Sequence, residues 1–284
     1  MVTQPSDQPV IVGFVADLMF QMKIQNVAER LGYEMVWVEK AADMGMIAPD
    51  DPAEQPGELL HGQGGRLFAQ LTRWQPDLLI FDLANPAIPW RLWIPALKSS
   101  PATRRLPILA YAPHVEVETI KAAEARGADG VVPRSRFSRA LPQLIEKYVR
   151  TDQSEALQSA CAEPLAALGQ EGIELFNQGK YYKAHDPLEE AWFADEGAGR
   201  EIYRAILQVG IAYFQIERGN YRGAVKMLLR VRQWLAPLPD ICRGVDIARL
   251  REDVDNVHDA LVALGPEEID RLDRSLFRPV RVIN

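Results

Sequence analysis

The sequence is short of cysteine, histidine and positive charge. Of 284 residues only two are Cys, at 161 and 242, and four are His. Two isolated Cys offer no disulfide framework and no paired metal spacing, which suits a reducing cytoplasm. Any metal site would have to be built from His and carboxylates. Lys and Arg number 32 against 39 Asp and Glu, a formal charge of −7. An acidic chain does not attract phosphate backbones as a whole, and no basic stripe or helix-turn-helix supplies a local attraction, so nucleic acid is excluded as a partner. No apolar run approaches the ~18 residues of a membrane span. The opening MVTQPSDQPV has neither the basic nor the apolar region of a signal peptide. A cytoplasmic protein is expected, with no membrane partner and no cofactor. What remains is ordinary globular composition, 48% hydrophobic and 25% charged, at a length that suits about two domains.

The two halves differ in pattern. Before Arg150, short apolar runs alternate with amphipathic stretches: VIVGFVA from Val10, EMVWV from Glu34, DLLIF from Asp77, LPILAY from Leu106 and GVV from Gly130. Runs with almost no polar alternation are what strands buried on both faces look like. Five of them, each followed by a helical pattern near 18–31, 62–74, 88–98, 115–126 and 137–149, predict a five-stranded parallel doubly wound sheet over 1–150. The segment 41–61, rich in Pro, Gly and acidic residues, reads as a long surface loop. After Arg150 the β signal ends. A polar linker leads into helical patterns at about 154–178, 181–194, 199–218, 221–236, 246–263 and 266–274, so 151–284 is expected to be an antiparallel helical bundle. Most of the net charge lies there.

Within the bundle is a weak repeat. Phe176, Gly179, Tyr181, Ala184 and Trp192 recur as Phe214, Gly219, Tyr221, Ala224 and Trp234. Each copy reads as two helices around a Gly turn, similar to a tetratricopeptide hairpin, but two copies are too few for a solenoid.

GYEMVWVEKAAD, PDLLIFDL, LPILAYAPH and GADGVVPRSRF fall in the order and spacing of response-regulator receivers, and the resemblance covers nearly all of 10–150. It implies a flavodoxin-like fold and a phospho-accepting Asp, here Asp82. The family's other site positions have changed. Its acidic pair falls on Val15 and Ala16 with Asp17 one residue late, its hydroxyl on Ala112 and its Lys on Arg134. One displaced carboxylate beside Asp82 is a poor Mg²⁺ cage, and phosphoryl transfer without the metal loses its main electrostatic stabiliser. Asp82, Asp17 and Arg134 therefore read as a degenerate phosphoacceptor site. Asp82 is expected to pair with Arg134, and Asp17 to cap the helix that follows it. Tyr111 and His114 read as rim residues. The basic run Arg134 to Arg139 is either a solvated loop or an anion site. The resemblance also implies that the last two helix–strand units mediate homodimers or docking.

The most unusual chemistry is YYKAHDPLEEAW, residues 181–192. On a helix, His185, Leu188, Glu189 and Trp192 share one face. Pro187 must start or kink that helix. Gln208 sits in the apolar stretch AILQVGIAYF, and Asn220 follows the Gly219 turn, where it can cap the next helix. About 168–236 resembles a bacterial helical family known only as domain of unknown function 309, on Phe176, Gly179, Tyr181, Ala184, His185, Glu189, Trp192, Arg200, Gln208, Gly219, Asn220, Gly223 and Ala224. That resemblance implies a fold and a motif but no reaction. Three readings of His185 and Glu189 stand: a buried His–Glu hydrogen bond that fixes helix register, a small-ligand pocket with Trp192 as a stacking wall, or a metal or acid–base centre. No nucleophile or activated water is visible for the last. Arg222, Lys226, Arg230 and Arg232 read as a basic helix face, and the tail DRSLFRPVRVIN either packs on the bundle or pairs with a neighbour.

The expected protein is thus a non-catalytic regulator or scaffold. Its receiver-like half serves assembly, and its bundle binds a small ligand or protein partner through His185, Glu189, Trp192, Gln208 and Asn220. The alternatives are a metal-dependent hydrolase centred on His185 and Glu189, with its metal unknown, and a phospho-switched regulator using Asp82.

Overall fold

The computed structural model describes residues 8–44, 62–113, 116–150 and 154–283. The chain divides into two compact units, Met1–Thr151 and Asp152–Asn284.

In the first unit, strands β1 (Val10–Phe14), β2 (Glu34–Trp37), β3 (Leu78–Asp82), β4 (Ile108–Ala112) and β5 (Gly130–Pro133) form one parallel sheet in the order β2-β1-β3-β4-β5. Helices α1 (Leu18–Arg30), α2 (Gly62–Trp74), α3 (Trp90–Ser99) and α4 (Val117–Ala125) make the crossovers. Every residue of β1, β3 and β4 is buried, whereas β2 and β5 at the edges are only partly so. That is why the inner strands read as unbroken apolar runs. The strand order is the doubly wound, flavodoxin-like arrangement, whose switch point lies between β1 and β3 at the carboxyl ends of the strands. The expected helix at 137–149 is instead two, α5 (Arg134–Arg139) and α6 (Leu141–Tyr148), with a Pro in the first turn of α6 where a helix start tolerates it. The loop expected at 41–61 begins as a short 3-10 turn, Ala41–Met44, and the rest lies outside the described residues.

The second unit contains α7 (Ser154–Cys161), α8 (Ala167–Asn177), α9 (Tyr181–Ala194), α10 (Glu201–Glu217), α11 (Tyr221–Leu235) and α12 (Ile247–Leu264). The helix expected at 154–178 is interrupted around Pro164, which separates α7 from α8. The two hairpins, α8–α9 and α10–α11, turn at Gly179 (φ 73°) and Gly219 (φ 69°), the left-handed conformation that a residue without Cβ adopts at least cost. α10 packs against both α9 and α11. Close approach of the first hairpin depends on Gly172: a Cβ there would lie 2.4 Å from the Leu188 side chain.

Three expectations for this half fail. A β signal does persist after Arg150, as the two-residue antiparallel strands β6 (Ile241–Cys242) and β7 (Val245–Asp246), too short to carry an alternating pattern. The two Cys form a disulfide, Cys161–Cys242. Their separation of 81 residues conceals that the end of α7 meets β6 with Cα atoms 4.4 Å apart. Arg232 does not join a basic face: it is buried and paired with Asp255 of α12 at 2.6 Å.

The tail packs on its own bundle. Phe277 stacks on Tyr213 at 4.1 Å, Asn177 and Val280 exchange two hydrogen bonds of 2.7 and 2.9 Å, and Val282 bridges to Val245. Among the described residues no helix is long and apolar enough to cross a membrane.

Candidate functional site

At the carboxyl end of the sheet, Asp82 closes β3 and is 5% exposed. Its Oδ1 accepts from the backbone N–H of Ala84 at 3.0 Å. Burial raises its pKa, opposed in part by that N–H, by the Tyr111 hydroxyl and by the charge of Arg134. Tyr111 is its register partner on β4, and burial first, then the Asp82 carboxylate, hold the phenol protonated far above its ordinary range.

The expected Asp82–Arg134 pair is absent. Arg134 donates instead to Asp17 at 2.5 Å, and its guanidinium lies 3.9 Å from the centre of the Phe20 ring. Phe20 and Phe137 in turn stack on Tyr111, at 5.5 and 4.2 Å between centroids. The reason is positional: Arg134 starts α5 directly after β5, within reach of the β1–α1 corner. Asp17 caps α1, accepting from Met19 and Phe20 N–H at 3.0 and 3.2 Å. Those bonds and Arg134 keep its carboxyl below the ordinary range. Arg134 is thereby withdrawn from any anion site at the basic run, and α5 has only six residues. His114, expected at this rim, lies outside the described residues, as does His61.

In the helical unit, α9 runs unbroken through Pro187, which can donate no hydrogen bond to the Lys183 carbonyl one turn earlier. The face expected on α9 divides. Leu188 is fully buried, whereas His185, Glu189 and Trp192 are half-buried beside it. No buried His–Glu bond forms: the His185 side chain is 32% exposed and its Nδ1 lies 3.2 Å from Asp186 Oδ1. The neighbouring residue competes for the imidazole because it stands on the open side of the helix.

Trp192 is not an open stacking wall either. Its ring carries the Arg204 guanidinium at 4.6 Å and that of Arg200 at 5.4 Å, with Phe193 at 4.7 Å. Arg204 of α10 also lies 4.0 Å from the ring centre of Trp234 of α11, so one cation bridges indoles from both flanking helices. At the opposite end of the same face, Tyr182 of α9 packs on Phe214 of α10 at 5.2 Å. Gln208 lies between these ends, one turn beyond Arg204. It is 5% exposed and its Oε1 accepts no hydrogen bond, and the Trp192 indole N–H is likewise buried and unpartnered.

The structure thus gathers His185, Glu189, Trp192 and Gln208 onto one three-helix face. It sets Asn220 apart: its side chain accepts from Gly223 N–H at 3.0 Å and donates to Gln215 at 2.8 Å, as the cap of α11. A Cβ on Gly223 would lie 2.5 Å from that amide, so the GNYRGA turn is a capping unit. Sequence reasoning missed Arg204 as the centre of the face. The signal was there, since Trp192 and Trp234 are equivalent positions of the internal repeat. Among the described residues no three His, Cys, Asp or Glu side chains converge as metal ligands would.

Residues 170–227 match a family described as "Domain of unknown function (DUF309)". An uncharacterized protein of Aquifex aeolicus (strain VF5) is 29% identical over 106 residues, 37% of this chain and 30% of its own length. The match therefore spans less than a third of that relative. Solved structures similar to the first unit include a response regulator from Thermotoga maritima (15% identity, 49% of this chain and 95% of that one, TM-score 0.34). HP1043, an orphan response regulator of H. pylori, is 15% identical over 51% of this chain and 100% of its own, with a TM-score of 0.36. The chemotaxis response regulator CheY4 of Vibrio cholerae is 14% identical over 49% and 97%, with a TM-score of 0.37. The fold assignment itself rests on the strand order. The chain couples a receiver-like α/β unit to a helical unit that carries the DUF309 match.

Proposed function

We propose that this is a regulatory or scaffold protein that does no phosphoryl chemistry. The helical unit binds a small ligand or a partner on the α9–α10–α11 face through His185, Glu189, Trp192 and Gln208, and the receiver-like unit serves assembly. One observation carries the binding reading: Gln208 is buried with its amide oxygen unpartnered, and the indole N–H of Trp192 on the neighbouring helix is in the same condition. Each such group costs about 1–3 kcal/mol of stability unless something completes its hydrogen bonding. A groove of about 350 Å³ along β5 supports the assembly reading. Glu124 and Asp129 line it together with Arg136 and Lys147. A surface bearing both signs can meet its own copy across a two-fold axis. The alternatives, a metal-dependent hydrolase at His185 and Glu189 and a phospho-switch at Asp82, draw no support from the geometry.

Native mass spectrometry of the full chain after incubation with a cell metabolite extract tests the binding reading. The expected result is a retained small-molecule adduct that Glu189→Ala and Gln208→Leu lose while remaining folded by circular dichroism. An adduct of equal intensity in both variants, or none in the parent protein, refutes it.

A further inference from the structure

Resting on the binding reading of this face, we infer that its ligand is a small zwitterion, with an oxyanion on the N–H edge of Arg204 and a protonated amine toward Gln208 and Glu189. The two indoles, at 4.6 and 4.0 Å, take the Arg204 guanidinium from α9 and α11. Stacking of that kind occupies the flat faces of a guanidinium and leaves its in-plane N–H fork available to a carboxylate or phosphate. Glu201 provides only a 3.4 Å contact to one of those nitrogens, and the Arg204 side chain remains 22% exposed. The buried, unpartnered indole N–H of Trp192 is a second donor at the same end.

One turn along α10 the polarity reverses. Gln208 offers an unpartnered acceptor, and Glu189 stands at its level on α9, because Trp192 against Arg204 and Tyr182 against Phe214 fix how the two antiparallel helices are aligned. Glu189 and Glu201 oppose a simple anion. Arg200 and Arg204 oppose a simple cation. A molecule with an oxyanion at one end and an amine at the other satisfies both ends at once.

The test follows the Trp192 indole N–H resonance in the full chain, identified by its loss in Trp192→Phe. An L-amino-acid mixture probes the carboxylate source of the oxyanion and phosphoethanolamine the phosphate source. Acetate and methylamine at equal ionic strength are the half-molecules. One of the two zwitterionic probes should shift the resonance saturably, about tenfold or more tighter than either half-molecule. Arg204→Lys, which keeps the charge but loses the fork, should weaken that binding by a similar factor. Glu189→Gln should weaken the zwitterion and leave acetate unchanged, which keeps the test decisive if Arg204→Lys fails to fold. No saturable shift, a shift matched by acetate, or binding indifferent to both variants overturns the inference. A Gln208-dependent adduct that is not zwitterionic would remove this inference and leave the binding reading standing, whereas no adduct of any kind removes both.

Discussion

Reducing the Cys161–Cys242 bond is the perturbation with the most calculable outcome. The bond joins positions 81 residues apart and so encloses both helical hairpins in one covalent loop. By the loop-closure relation, a cross-link of that span removes enough entropy from the unfolded chain to stabilise the fold by about 4.5 kcal/mol at 25 °C. That is a ceiling, because compact unfolded chains have less entropy to lose. Both Cys are buried, so reduction leaves the packing of two small apolar side chains in place and changes mainly the unfolded state. Urea unfolding of the full chain, with and without a phosphine reductant, is the assay, and thiol labelling under denaturing conditions reports the bond itself. With a urea slope of about 2 kcal/mol/M, the helical unit's midpoint should fall by up to ~2 M on reduction. The receiver-like unit contains no Cys, so its transition is the internal control and should not move. The reasoning is refuted if full reduction shifts the helical transition by less than about 0.3 M, or if labelling finds two free thiols before reductant is added.

Two further outcomes follow from buried polar groups. Burial raises the Asp82 pKa, so the folded state keeps this proton to higher pH than the unfolded chain, and the group's contribution to stability declines as pH rises through the folded value. Asp82→Asn should therefore be at least as stable as the parent at pH 7, with the difference closing toward about pH 4, and melting curves across that range check the sign. Gln208→Leu removes a buried, unpartnered acceptor and, with no ligand bound, should raise the helical unit's stability by about 1 kcal/mol in urea titrations. A loss of that size would mean that Gln208 is satisfied within the fold.

Much of the architecture was legible because burial leaves a trace in sequence. The fully buried strands at Val10, Leu78 and Ile108 read as apolar runs, and the Gly turns at 179 and 219 marked both hairpins. Helix continuity was harder, since Pro187 lies inside α9 whereas Pro164 separates two helices, and a proline in the sequence reads the same in both places. The candidate site was legible in its residues but not in its pairings. His185 turned to Asp186 rather than Glu189, and Arg134 to Asp17 rather than Asp82, because a side chain's partner depends on directions that linear spacing does not encode. The disulfide was hidden for the same reason, its two ends being brought together only by the completed bundle.

The position of the tail has a consequence for biosynthesis. Phe277 closes the aromatic cluster of Tyr181 and Tyr213, and Asn177 finds its partner only at Val280. These residues leave the ribosome after every helix they cover. The receiver-like unit can reach its final form while translation continues, but the helical unit must wait with an aromatic seam open until about residue 280 has emerged. A stalled or truncated chain would consequently present Tyr181 and Tyr213 to quality-control factors, marking an unfinished bundle even where all its helices have formed.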